Sequence, residues 1–160
     1  MRSSVTVEKM DLRTIQQSAA PSFYDGGMTF LDFTAPADVL VLQHLHEDGP
    51  GFLGRWLDAQ GVGWHLRCAE AGEDYPVSVR GYRGLAVLGG AWSANDDRPT
   101  LRQAEALIIE ADALGIPVLG HCLGGQLMAR AFGGRVERLP QPEVGWWPIT
   151  RADSPAAREW

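Results

Sequence analysis

The stretch Ile116-Pro117-Val118-Leu119-Gly120-His121-Cys122-Leu123-Gly124 constrains this chain more than any other, because an apolar run meets a cysteine held between two glycines. Gly115 stands in front of it as a helix stop, and Ile116 to Leu119 read as a short strand. Leu123 to Phe132 are mostly helix-compatible, and Gly133-Gly134 ends them. A glycine, any residue, a cysteine, any residue and a glycine between strand and helix is the pattern of a sharp turn that lifts one side chain above the sheet edge. Glycines on both sides let the backbone pack closely and take angles that a Cβ resists. Cys122 then stands at the first turn of a helix, where unpaired N–H groups favour a thiolate. The competing reading is a small buried apolar residue, the usual place of a free cysteine.

The rest of the chain supplies layers around that turn. Val39-Leu40-Val41-Leu42 and Leu85-Ala86-Val87-Leu88 are continuous apolar runs, as in parallel strands buried on both faces. Val62 to Cys68 alternates instead, with Val62, Trp64, Leu66 and Cys68 on one face and Gly63, His65 and Arg67 on the other. That predicts a half-exposed strand near a sheet edge, with Cys68 in the core and His65 solvated. Phe52, Leu53, Trp56 and Leu57 recur at helical spacing before Gly61 and predict a crossover helix covering the sheet. Thr100 to Gln103 has capping-box spacing. Leu101, Ala104, Leu107, Ile108, Ala111 and Leu114 then form the apolar stripe of a second helix, whose Glu105, Glu110 and Asp112 read as a solvated face. Arg135-Val136 reads as the start of another strand. The order of these elements predicts a doubly wound α/β domain, a mostly parallel sheet with helices on both faces. Residues 1–38, broken by Pro21, Gly26, Gly27 and Pro36, read as an N-terminal extension, and residues 39–160 as the domain.

Ligands of open α/β sheets bind at the carboxyl ends of the strands, which singles out three loops. After the first strand come His44 and His46, which either line a pocket or are simply solvated; their spacing is that of a weak metal pair without a third ligand. After Leu88 come Gly89 and Gly90, which either bring a backbone N–H close to a ligand or make a tight turn. The third is the elbow at Cys122. Further on, Trp146 and Trp147 are flanked by Gly145 and Pro148, as at a packed corner.

Three segments together resemble the class I, triad-type glutamine amidotransferases. Gly120 to Gln126 reads G-x-C-L-G-x-Q, Leu88 to Asp96 reads L-G-G-x-x-x-x-x-D, and Pro142 to Pro148 reads P-E-x-G-W-x-P. The resemblance implies a flavodoxin-like layering and a Cys122 nucleophile that attacks the glutamine side-chain amide to form a γ-glutamyl thioester. It implies an oxyanion hole made by the N–H groups of Gly90 and Leu123. It also implies that Gln126, Val144, Gly145 and Trp146 hold the amino-acid end of the substrate. Ala91 stands where the family often has proline. The family's histidine and glutamate follow the P-E-x-G-W segment in an H-x-E or H-x-D pattern, and here no histidine follows His121. His121 itself adjoins Cys122 in the turn, where neighbouring side chains diverge, and is a poor base. The resemblance thus covers about Val39 to Trp160 and implies a domain incomplete at its C-terminus, with impaired hydrolysis. It calls for no cofactor and no metal. The implied partners are glutamine or a γ-glutamyl small molecule and a synthase that accepts the ammonia, with homo-oligomers allowed. A γ-glutamyl peptidase-type cysteine hydrolase and a non-catalytic binding module of the same fold are the alternatives.

Composition sets outer bounds. A chain of 160 residues with 45% hydrophobic and 21% charged residues is one domain's worth of an ordinary globular protein. A net charge of −6 argues against nucleic acid or an anionic membrane surface as the main partner. Two cysteines without paired spacing suggest neither a disulfide framework nor a zinc site, which makes a reducing cytoplasm the default compartment. No apolar run reaches membrane-spanning length, and the N-terminus lacks a signal-peptide core.

Overall fold

The computed structural model describes residues 38–140 together with Trp146, Pro148, Thr150 and Asp153. The elements run β1 (Val39–Gln43), α1 (Gly51–Ala59), β2 (Trp64–Cys68), β3 (Gly84–Val87), α2 (Pro99–Ala113), β4 (Val118–Gly120) and α3 (Leu123–Ala131). The strands form one parallel sheet in the order β2-β1-β3-β4. Register places Val39 opposite both Trp64 and Gly84, and Val87 opposite Gly120. All carboxyl ends therefore lie on one side, with those of β1, β3 and β4 next to one another. The alternating strand is β2, and it is an edge of this sheet, as its half-exposed pattern predicts.

Successive residues of the inner strands point to opposite faces, and both faces carry helices. Leu40, Leu42, Leu85 and Val87 pack with Leu101, Leu107 and Ile108 of α2 and with Leu123 and Leu127 of α3. Val41, Ala86 and Leu88 pack on the other side with Leu53 of α1 and with Trp64 and Leu66 of β2. This is the doubly wound α/β layering of a flavodoxin-like fold. Cys68 is buried in the core, and His65 is exposed beside Asp38 at 2.9 Å.

Each helix ends where the sequence places a glycine. Gly61, Gly115 and Gly133 all have positive φ. Gly115 donates to the Asp112 carbonyl at 3.0 Å and Ile116 to Ala111 at 2.8 Å, the paired bonds of a Schellman motif. The same pair recurs after α1, from Gly61 to Asp58 and Val62 to Leu57, and after α3, from Gly133 to Arg130 and Gly134 to Ala129.

Several local expectations are corrected. The capping box at Thr100 is not formed, because α2 begins two residues earlier than that box requires, with Arg98 at its N-cap and Pro99, which needs no N–H partner there, at its first position. Gln103 turns away and donates to the Tyr75 carbonyl at 2.7 Å. The stripe on α1 is narrower than its sequence suggests, since Gly54 and Leu57 are buried while Phe52 and Trp56 are 74% and 49% exposed. The carboxylates Glu105 and Glu110 are not simply solvated. Glu110 accepts from the Ser78 hydroxyl at 2.7 Å and from the Val79 N–H at 2.8 Å, and Glu105 joins an ion network described below. Arg135-Val136 starts no strand; Val136 is a buried side chain whose carbonyl accepts from Asn95 at 2.8 Å.

Candidate active site

Strand β4 delivers the chain to a turn that only a glycine-flanked residue makes. His121 donates to the Val87 carbonyl at 2.9 Å, as a last ladder bond, and Gly124 donates back to His121 at 2.9 Å. Between them Cys122 sits at φ 52°, ψ −108°, where it precedes the first residue of α3. A side chain rarely adopts such angles, and holding one there costs on the order of 1–3 kcal/mol. Neighbouring glycines make the turn fit. A Cβ on Gly124 would strike the Val87 carbonyl oxygen, and one on Gly120 would strike Met128 Sδ and come within 2.8 Å of the Gly124 backbone. The strain is therefore imposed by close packing of helix on sheet, and it leaves Cys122 exposed at the sheet's carboxyl edge.

The Gly89-Gly90 turn lies against this elbow. A Cβ on Gly89 would come within 3.4 Å of both Cys122 Cβ and His121 Nδ1, and one on Gly90 within 3.2 Å of Leu123 Cδ2. Among the described residues, no acceptor pairs with the N–H of Gly90 or of Leu123. The turn is tied down from outside. Asp96 accepts from the Ser93 N–H at 3.0 Å, Arg102 donates to the Ala94 carbonyl at 2.6 Å, and Arg130 donates to Asn95 at 2.6 Å. Glu105 joins Arg102 at 2.9 Å and Arg130 at 2.8 Å, so α2 and α3 hold the same loop through one carboxylate. Arg130 lies on the helix that Cys122 precedes, which couples the turn to the elbow.

In front of Cys122 a cleft of about 1110 Å³ opens between the elbow, the Gly89–Trp92 turn, the loop from Leu45 to Pro50 and the first turn of α1. Leu88 and Leu119 line it as apolar surface, and Glu47 and Asp48 bring carboxylates to it. Gln126, buried one turn into α3, also lines it. The structure thus gathers Cys122, Gly90, Leu123 and Gln126 at one place. Trp146 is fully exposed and is not among the cleft residues, while Val144 and Gly145 lie outside the described residues.

His44 departs from the solvated alternative. It is fully buried, its Nδ1 is 2.9 Å from the Tyr75 hydroxyl, and burial lowers its pKa to about 4, against a smaller raising effect of Asp48. Burial, with a further contribution from Cys68, raises the Tyr75 phenol, so both partners are neutral near pH 7. His46 is exposed, with Nδ1 3.9 Å from Cys68 Sγ. Among the described residues no group of three or more His, Cys, Asp or Glu is placed to hold a metal ion, and no histidine hydrogen-bonds Cys122. Sequence reasoning missed Tyr75 and the Glu105–Arg130–Asn95 network. Their partners lie 25 to 35 residues apart, and no local spacing announces them.

Comparison with known proteins agrees with this geometry. Residues 65–154 match the family model described as glutamine amidotransferase class-I. The glutamine amidotransferase-like protein YfeJ of Salmonella typhimurium is 30% identical over 119 residues, covering 71% of this chain and 49% of that protein. The GMP synthase [glutamine-hydrolyzing] of Aeropyrum pernix is 42% identical over 65 residues, 39% of this chain and 11% of that protein. Among solved structures, a glutamine amido transferase from Methylobacillus flagellatus superposes with a TM-score of 0.71 at 39% identity, over 79% of this chain and 51% of that one. A glutamine amidotransferase from Thermotoga maritima superposes with a TM-score of 0.57 at 26% identity, over 62% of this chain and 44% of that one. The chain therefore spans about half the length of YfeJ and of these structures, and about a tenth of the synthase.

Proposed function

The chain belongs to the class-I glutamine amidotransferase family, and from that premise we propose that its cleft captures the γ-glutamyl group of glutamine on Cys122. The observation that carries this reading is the strained, exposed Cys122, which lies against the Gly89-Gly90 turn at the mouth of a cleft that both line. The Cys122 thiolate attacks the side-chain amide carbon, and the carbonyl oxygen becomes an oxyanion held by the N–H groups of Gly90 and Leu123. Collapse of that adduct breaks the C–N bond, ammonia leaves with an added proton, and a γ-glutamyl thioester remains. Water then frees glutamate and restores the thiol. Gln126 borders the amino-acid end of the substrate, and Val144, Gly145 and Trp146 are proposed for the same end by the family motif. The ammonia passes to an acceptor on a synthase partner, a context in which the relative from Aeropyrum pernix is named.

The proton deliveries in this sequence need a base beside the thiol, worth about 10²–10⁴ in rate. The chain has four histidines, His44, His46, His65 and His121, and none hydrogen-bonds Cys122 among the described residues. A binding module of the same fold is the second reading. The test is glutamate release from glutamine by this chain, beside a chain extended with an H-x-E-bearing family segment. Silence in the present chain and activity in the extended one are expected, with Gly90→Val abolishing the latter while leaving the fold intact. Activity in neither form would leave the binding module. Undiminished activity in Gly90→Val would return Gly89-Gly90 to a plain turn.

A further inference from the structure

A residue that no family motif contains, His44, stands against the Gly89-Gly90 turn, and another, Tyr75, holds it there. His44 leaves the end of β1 fully buried, and Tyr75 reaches it from the segment between β2 and β3. The Tyr75 hydroxyl lies 3.0 Å from the Gln43 carbonyl, to which it donates, and 2.9 Å from His44 Nδ1. A tyrosine hydroxyl has one proton, so with that proton on Gln43 it accepts from Nδ1–H. His44 Nε2 is then a buried lone pair that no group among the described residues meets. The same ring touches the turn. A Cβ on Gly90 would lie 3.3 Å from His44 Cβ and 3.7 Å from its Cδ2, and the Trp92 ring centroid is 5.9 Å from that of His44. Arg98 covers Trp92 at 4.2 Å.

An apolar side chain of similar size would fill this space without orphaning a nitrogen, so packing alone does not account for an imidazole here. The hydrogen bond fixes the ring's rotation, and the ring in turn supports the backbone of Gly90 from behind. We propose that His44, clamped by Tyr75, is a positioning residue that sets the path of the Gly89–Trp92 turn and so aims the Gly90 N–H at the oxyanion. This rests on Gly90 being an oxyanion donor. Neither residue touches the reacting atoms; both act through the turn, and a displacement there of a fraction of an ångström weakens the oxyanion contact without altering the thiol.

The test reads two reactions at Cys122 in the full chain. Iodoacetamide alkylates the thiolate directly and makes no oxyanion. A chloromethyl ketone analogue of glutamine is attacked at its carbonyl to give a thiohemiketal oxyanion; sulfur then displaces chloride at the methylene as its bond to the carbonyl carbon breaks and the ketone re-forms. Tyr75→Phe removes one oxygen and keeps the ring, and His44→Phe keeps an aromatic ring, somewhat larger than imidazole, and loses both nitrogens. His44→Asn restores a donor near the Nδ1 position. The ketone rate is expected to fall on the order of tenfold or more in both phenylalanine variants, with iodoacetamide held within about twofold and partial recovery in His44→Asn. Urea midpoints of each variant are read alongside. Ketone and iodoacetamide rates that fall together, or that both stay unchanged in Tyr75→Phe, overturn the positioning role alone. A wild-type chain that shows no preference for the ketone, and none lost in Gly90→Val, overturns the oxyanion reading and the positioning role with it.

Discussion

Cys122 and Cys68 are the chain's two thiols, and the fold treats them oppositely. Cys68 ends β2 inside the core, while Cys122 is exposed at a helix start and held at positive φ. Alkylation by iodoacetamide below neutral pH is expected to fall on Cys122 first and to vanish in Cys122→Ala; equal labelling of Cys68 argues against a tuned thiolate. The backbone strain gives a second, independent reading of the same residue. Cys122→Gly relieves the disfavoured angles, whereas Cys122→Ala keeps a Cβ in them. The glycine variant is therefore expected to exceed the alanine variant in urea stability by about 1 kcal/mol, less the greater entropy of an unfolded glycine chain. An alanine variant as stable as the glycine one would show that the turn stores no strain. A residue that is more stable when replaced is the mark of a position kept for chemistry.

Among the elements, α3 does most to build the site, and the helices put glycine to two different uses. At the start of α3 Gly124 is needed for space, since any Cβ meets the Val87 carbonyl of β3. At the ends of the helices glycine is needed for angle. Gly115, after α2, has φ 68° and nothing within 4 Å of a built Cβ. Gly115→Ala is accordingly expected to cost only about 1 kcal/mol, while Gly124→Ala forces helix and sheet apart and costs about 1–3 kcal/mol or more. Urea unfolding of the two variants checks the order. A further signature separates them, because only Gly124→Ala should slow Cys122 labelling. The helices also share Glu105, which ties α2 to α3 through Arg102 and Arg130 and so holds the loop carrying Gly90.

The whole molecule answers to pH through His44. Its folded pKa is lowered to about 4 by burial, below the ordinary 6.5, so the unfolded chain binds the proton more readily. Stability from this residue is fully present above about pH 6.5 and is lost progressively as pH falls toward 4, by roughly 3 kcal/mol in total. Glu110 is lowered by the Ser78 hydroxyl first and then by the Val79 N–H, so its contribution is lost at still lower pH, below the usual carboxylate range. Urea stability measured from pH 7 to 5 is therefore expected to decline in the wild type and to decline less in His44→Asn; parallel curves would show that His44 does not report the folded state. The described residues contain no helix long and apolar enough to cross a membrane.

Local pattern carried the strands, the three helices, their glycine stops and the elbow at Cys122, because each depends on residues within one or two turns of each other. Continuous apolar runs mean burial on both faces, alternation means an edge, and a glycine-flanked cysteine between strand and helix permits only a few backbone paths. The meeting of Gly90 with Leu123 was legible only through the family resemblance, since nothing in Leu88 to Asp96 alone separates an oxyanion turn from an ordinary one. The tertiary structure alone decided that His44 is buried and neutral behind that turn, that Tyr75 orients it, and that Glu105 links two helices to the loop. It also decided that Thr100 lies inside α2 and that Phe52 faces outward. The physical reason is common to these cases. Burial and ion pairing are settled by partners brought together from distant parts of the chain, and a sequence window contains only one side of each contact.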